Sequence, residues 1–147
     1  MASPIDIKVW GEYACFTRPE FKVERVSYPV ITPSAARGIL EAIYWKPQFR
    51  YCIQSIGILK QGTQFALLRN EIKSRQSETP NSKSVEEYYV VAEEDRAQRT
   101  SLVLQNVCYR IIARIELRNG ETNIGKHLDC FRRRAERGEC YHRPYLG

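Results

Sequence analysis

Two side chains in this sequence have both the chemistry and the setting for proton transfer, Tyr44 and His127. Residues 124–137 read as a helix, which puts His127 in its first turn. There the positive end of the helix dipole disfavours an imidazolium, so a neutral, base-competent ring is expected near pH 7. Lys126 precedes it, and Arg133, Arg134 and Arg137 follow along the same helix. Tyr44 closes another expected helix, seven residues after Arg37 on the same flank, with its ring anchored in the core and its hydroxyl free. Each feature has a plainer alternative: a flanking tyrosine is commonly a core-edge residue, and a basic run on a helix is commonly a solvated face. Lys126 and His127 are also sequence neighbours, which on a regular helix point about 100° apart.

The elements that must hold these residues are legible from their punctuation. In residues 32–47, Thr32 is an N-cap, Pro33 fits the first turn, and Pro47 forces Lys46 out of the helical region. Ala36, Ile39, Leu40, Ile43 and Pro47 form the stripe that packs on a sheet, while Trp45 and Gly38 face the other way and leave an indole in need of cover. Asn123 caps the second helix and Gly138 ends it, with Ile124, Leu128, Phe131 and Ala135 as its core stripe.

Strands are expected where residues alternate. Ile5, Ile7 and Val9 begin the first, with a bulge at Gly11 before residues 13–16. Residues 51–59 form the second, and Gly62 turns the chain into residues 63–68 as a hairpin. Residues 73–87 are polar and without apolar period, hence a long exposed loop. Residues 88–91 make a short strand, and 93–99 a charged connection to residues 102–104. Val107, Tyr109, Ile111, Ala113, Ile115 and Leu117 then give one unbroken apolar face. The plan is α+β, a ferredoxin-like or RNA-recognition-motif-like βαββαβ domain with an inserted β-hairpin and a long loop. It forms a single domain over residues 1–147, in which one sheet face stays free of helices and RNA can lie on it. Residues 140–147 are short for the last strand.

Composition narrows the partners. The 147 residues, 43% hydrophobic, suffice for one ordinary core. No apolar run approaches the roughly 18 to 20 residues of a membrane span, and the start lacks a signal peptide, so a cytoplasmic protein is expected. Five cysteines at irregular positions fit reduced thiols. The net charge of +6 divides as +3, −1 and +4 over residues 1–60, 61–106 and 107–147. Two basic ends that share a surface favour a polyanion such as nucleic acid. Arg18, Lys22 and Arg25, interleaved with Pro19, Phe21 and Tyr28, suit phosphate contact and base stacking. A zinc site from Cys130, Cys140 and His142 lacks paired short spacings, and two histidines without a Gly-x-Ser-x-Gly elbow argue against a serine hydrolase. No metal and no cofactor is expected.

The segments KVWGEYACFTRPE (8–20), ITPSAARGILEAIYWKP (31–47), EDRAQR (94–99) and 132–147, ending in Tyr-Leu-Gly, resemble the type I-C CRISPR repeat-RNA endoribonucleases. These are the d-type branch of the fifth CRISPR-associated family. The resemblance spans nearly the whole sequence in order. It implies a metal-independent ribonuclease that cuts each repeat transcript at the base of its hairpin and stays in the surveillance complex with the other subunits. The family's catalytic tyrosine then falls on Tyr44, and its lysine and histidine on Lys126 and His127. It implies repeat RNA as partner and leaves duplex DNA open as a second ligand; the charge pattern makes Arg18, Lys22, Arg25, Arg37, Arg133, Arg134 and Arg137 the expected contacts. Such proteins carry a β-rich C-terminal portion after Tyr-Leu-Gly, which this sequence is expected to lack. The rival reading is a scaffold subunit that grips RNA without cutting it.

Overall fold

The structure, a computed structural model, describes residues 4–75 and 90–147. Its elements follow in the order β1 (Ile5–Ala14), α1 (Pro33–Ile43), β2 (Phe49–Lys60), β3 (Thr63–Ile72), β4 (Arg96–Leu117) and α2 (Ile124–Arg137). All strand pairs are antiparallel and all use β4: β1 and β2 flank it, and β3 pairs with its first half.

β4 is a single 22-residue strand. The charged connection expected over residues 93–99 is therefore corrected from Arg96 onward. Exposed Arg96 and Gln98 alternate with half-buried Ala97 and Arg99, all pair across to β3, and Arg99 donates to Glu71. The apolar row is as expected: Val107, Tyr109, Ile111, Ala113 and Ile115 are buried. They pack against Ala36, Ile39 and Leu40 of α1 and Leu128 and Phe131 of α2 in one core. The opposite face is polar, and Arg110 grips Asp6 there through two hydrogen bonds at 2.9 and 2.6 Å. One packed and one polar face is the usual economy of an antiparallel sheet.

The hairpin expected at Gly62 does not form. Lys60 pairs with Cys108 and Thr63 with Gln105, so β3 continues in the direction and register of β2 along the same partner. Gly62, at φ +76°, and Asn106, at φ +59°, face each other at the interruption. The left-handed backbone there bulges the chain instead of reversing it. The reversal lies between β3 and β4, which form an arm whose Leu68 and Ile72 are exposed.

Three other expectations change. β1 keeps its register with β4 through Gly11, so there is no bulge. A Cβ there would meet the side-chain end of Leu146 at 2.7 Å, so the C-terminal residues pack against this strand. Residues 140–147 form no strand, although Leu146 accepts the Cys15 N–H at 2.8 Å. The loop expected over residues 73–87 and the strand over 88–91 lie mostly outside the described residues, and Val90 and Val91 are not in a strand. All five cysteines are free thiols.

Candidate functional site

The site forms where α1 ends and α2 begins. Thr32 caps α1 through Ala35 N, as its sequence predicts, but the helix stops at Ile43, earlier than Pro47 requires. Tyr44 is the C-cap, with extended backbone at φ −154° and ψ 126°. Distant donors capture the last carbonyls and explain the early stop. Tyr141 and His142 N–H bind Ala42 O, Arg134 Nη1 binds Ile43 O, and Tyr51 Oη binds Tyr44 O. The turn out of the helix swings Tyr44 inward, where its ring stacks on Phe49 with centroids 5.6 Å apart.

On α2, Asn123 Oδ1 accepts the Lys126 N–H, and Gly138 at φ +69° ends the helix. His127 is not on a flank. It is 0% exposed, part of the buried stripe with Leu128 and Phe131, and its ring lies 4.7 Å from that of Phe49. Ala135, expected in that stripe, is exposed. A helix whose first residue is half-buried and whose last turn is wet can bring only its first two turns onto the sheet, so the histidine takes the core position.

Four polar side chains meet here. Tyr44 Oη lies 3.0 Å from His127 Nδ1, and His127 Nε2 lies 3.3 Å from Glu121 Oε2. Lys126 Nζ donates to that same oxygen at 2.5 Å. Glu121 Oε1 accepts the backbone N–H groups of Thr122 and Asn123, each at 3.0 Å. The Lys126 hydrogen bond, then the Asn123 and Thr122 N–H groups and His127, hold the Glu121 pKa down at about 2. Burial pushes the Tyr44 hydroxyl up, Cys130 adds to this, and the Arg134 guanidinium, 5.3 Å from the ring centroid, opposes it. At neutral pH the tyrosine is therefore a proton donor and the glutamate an anion.

The expected trio of Tyr44, Lys126 and His127 thus converges, but not on an open surface. Tyr44 is 5% exposed and His127 fully covered, while the Lys126 side chain is 50% exposed. An open groove of about 890 Å³ runs past Tyr44, walled by Trp45, Lys46, Arg134, Tyr141 and Tyr145. Trp45 is half exposed, as expected.

The basic residues separate into sets. Arg18 stacks on Tyr28 and approaches Glu20, Lys22 is exposed, and Arg25 reaches Glu71. Their loop is tied to Leu102, through Arg25 O and Ser27 N, whereas Phe131 of α2 meets Tyr51, the partner of Ile115. Thirteen residues of strand, about 40 Å, divide the two anchors. Arg37 pairs with Glu41, and Arg137 with Glu139. Arg133 touches Cys130, and Arg134 alone joins the Tyr44 neighbourhood. Glu121 was not singled out from the sequence, since it lies in a turn without periodicity. An acidic residue just before an N-cap and five residues before a lysine was its one local signal.

An α/β protein with one antiparallel sheet, two helices on one face and a tyrosine–histidine–carboxylate–lysine cluster is the class defined by these features. The family described as CRISPR-associated protein (Cas_Cas5), d-type, matches residues 5–147, and the chain belongs to it. A relative from Thermus thermophilus, named CRISPR pre-crRNA endoribonuclease Cas5d, is 56% identical over 144 residues. That match covers 97% of this chain and 59% of the relative. One of the same name from Mannheimia succiniciproducens is 47% identical over 155 residues, covering 100% and 69%. Among solved structures, a CRISPR-associated protein superposes with TM-score 0.64 at 22% identity, over 98% of this chain and 60% of that one. A chain of a CRISPR RNA-guided surveillance complex superposes with TM-score 0.62 at 11% identity, over 99% and 57%. These two likenesses concern the fold.

Proposed function

We propose that the chain is a precursor CRISPR RNA endoribonuclease, cutting within the repeat by attack of a ribose 2′-hydroxyl on the adjacent phosphorus and staying with the product in a surveillance complex. The observation that carries this reading is the hydrogen-bonded array Tyr44–His127–Glu121–Lys126, whose Tyr44 lines an open groove. The names of the two relatives agree with it.

In this mechanism the ribose hydroxyl displaces the Tyr44–His127 hydrogen bond and gives its proton to Nδ1. The 2′-oxygen bonds to phosphorus while the bond to the 5′-oxygen breaks. Tyr44, kept protonated by burial, donates to the leaving oxygen and is reprotonated from the imidazolium. Lys126 keeps Glu121 with one N–H and turns another to the phosphorane oxygens, where charge builds. The products are a 2′,3′-cyclic phosphate and a 5′-hydroxyl, and the three side chains supply base, acid and cation without a metal.

RNA contact is assigned to the groove cations and to the basic loop. The finer fold reading is ferredoxin-like, supported by β4 lying between β1 and β2, and the chain is read as one domain acting in the cytoplasm. Among the described residues no helix is long and apolar enough to cross a membrane. The second reading, a scaffold that holds RNA intact, is favoured by the complete burial of His127. Labelled repeat hairpin incubated with the chain in excess chelator separates them: a cut with cyclic phosphate ends supports the nuclease, and bound but intact RNA supports the scaffold.

A further inference from the structure

We infer that Glu121 is a positioning residue of this site: it fixes the tautomer of His127 and draws the Lys126 ammonium to the same point. The chemical consequence rests on the ribonuclease reading, whereas the tautomer follows from the geometry alone.

Both ring nitrogens of His127 have one partner each, and the ring is fully buried. The partner at Nδ1 is a hydroxyl, which can donate or accept. The partner at Nε2 is an ionised carboxylate, which can only accept. Glu121 therefore decides the proton's place: it sits on Nε2, and Nδ1 is left as an acceptor turned to Tyr44. Without that anion the Tyr44 hydroxyl serves either tautomer, and half of the possible arrangements present a base with no lone pair toward the ribose.

The carboxylate is itself held. Oε1 takes the two N–H groups of the turn, so Oε2 is aimed at α2 without freedom to follow its partners. This resolves a difficulty in the sequence. Lys126 and His127 are consecutive on a helix, and their side chains leave it about 100° apart. A common acceptor between the two directions is what brings a flexible, half-exposed lysine to a buried histidine. The rings of Tyr44 and Phe49 lie beside the imidazole, and neither brings a charge to Nε2.

The test is long-range 1H–15N NMR of the histidine ring in the 147-residue chain, with single-turnover cleavage of a repeat hairpin beside it. The parent is expected to show one neutral form with the proton on Nε2. Glu121→Gln has one oxygen for two accepting sites; with that oxygen on the turn N–H groups its amide N–H faces Nε2 and shifts the ring toward the Nδ1–H form. Glu121→Ala populates both tautomers, as does Glu121→Asp, which can hold the turn N–H groups but ends one methylene short of Nε2. Where the parent cuts RNA, the Ala and Asp variants slow by up to about 10⁴-fold, the penalty of a wrong tautomer in a serine-protease triad. RNA affinity stays within about twofold in both. If Glu121→Ala does not fold, Glu121→Asp decides. A parent ring protonated on Nδ1, or Ala and Asp variants still protonated on Nε2 alone, overturns the inference. A parent with the expected tautomer that leaves RNA intact overturns the ribonuclease reading and leaves the role of Glu121 in ordering the cluster standing.

Discussion

The hydroxyl of Tyr51 on β2 donates to the backbone carbonyl of Tyr44, the C-cap of α1, at 2.5 Å. Both residues are buried, and burial pushes the Tyr51 hydroxyl far up, so it is a permanent donor. Tyr51→Phe leaves that carbonyl unpaired in the core. A loss of about 1 to 2 kcal/mol is expected in urea unfolding, with wild-type-like secondary structure. An unchanged midpoint would mean the helix end is held by its other partners alone.

His127 carries the proton in the proposed mechanism, so His127→Ala should slow single-turnover cleavage by ~10²- to 10⁴-fold while RNA affinity barely changes. Arg134→Ala should do the reverse, weakening binding and flattening its salt dependence. Since His127 is buried, folding of the variant is checked by near-UV dichroism first. A His127→Ala protein that cuts at the parental rate, or loses binding in proportion to cutting, removes the residue from the mechanism.

Acid should weaken the fold partly through Glu121. Its pKa is lowered from 4.5 to about 2, so its contribution is fully present above 4.5 and is lost as the pH falls toward 2. Asp6 beside Arg110, Glu71 where Arg69 and Arg99 outweigh its desolvation, and Glu116 beside Cys52 and Arg50 are lowered too and act with the same sign. Glu121→Gln should thus lose less stability than the parent between about pH 5 and 2, read from urea midpoints. Parallel pH curves for the two proteins would contradict this.

Gly62→Ala should be far worse than Gly120→Ala, although both have φ near +75°. At Gly120 the new methyl meets nothing within 4 Å, leaving the left-handed penalty of roughly 1 to 2 kcal/mol. At Gly62 it meets Gln105 O at 2.5 Å and Val107 Cγ1 at 2.9 Å, so the β2–β3 junction must shift. Equal melting temperatures for the two variants would refute the bulge.

RNA binding should weaken roughly tenfold or more between about 50 and 200 mM salt, because arginine and lysine contacts release counterions. A flat titration would show that the groove and loop cations do not meet phosphate.

What could be read in the sequence was local. Thr32, Pro33, Asn123 and Gly138 act within one helical turn, and the inward row from Val107 to Ile115 needs only parity. What could not be read depends on partners far along the chain. Gly62 has the same residue type whether it reverses the strand or bulges it, and only the register with β4 separates the two. The end of α1 is set by donors from residues 51, 134, 141 and 142. The convergence of Tyr44 with Lys126 and His127 came from the family resemblance. Their burial, and the carboxylate that joins two of them, required the fold.

The length of β4 makes it the ruler against which the other strands are measured. Deleting one residue between Val107 and Leu117 would turn Tyr109, Ile111 and their neighbours to the wet face and put β1 and β2 out of step together. Deleting one between Arg96 and Thr100 would misalign only the outer part of the β3 arm. Tolerance to insertion and deletion along this strand should therefore be graded, high at its entry and absent at its exit, where the last residues also deliver the chain to Glu121.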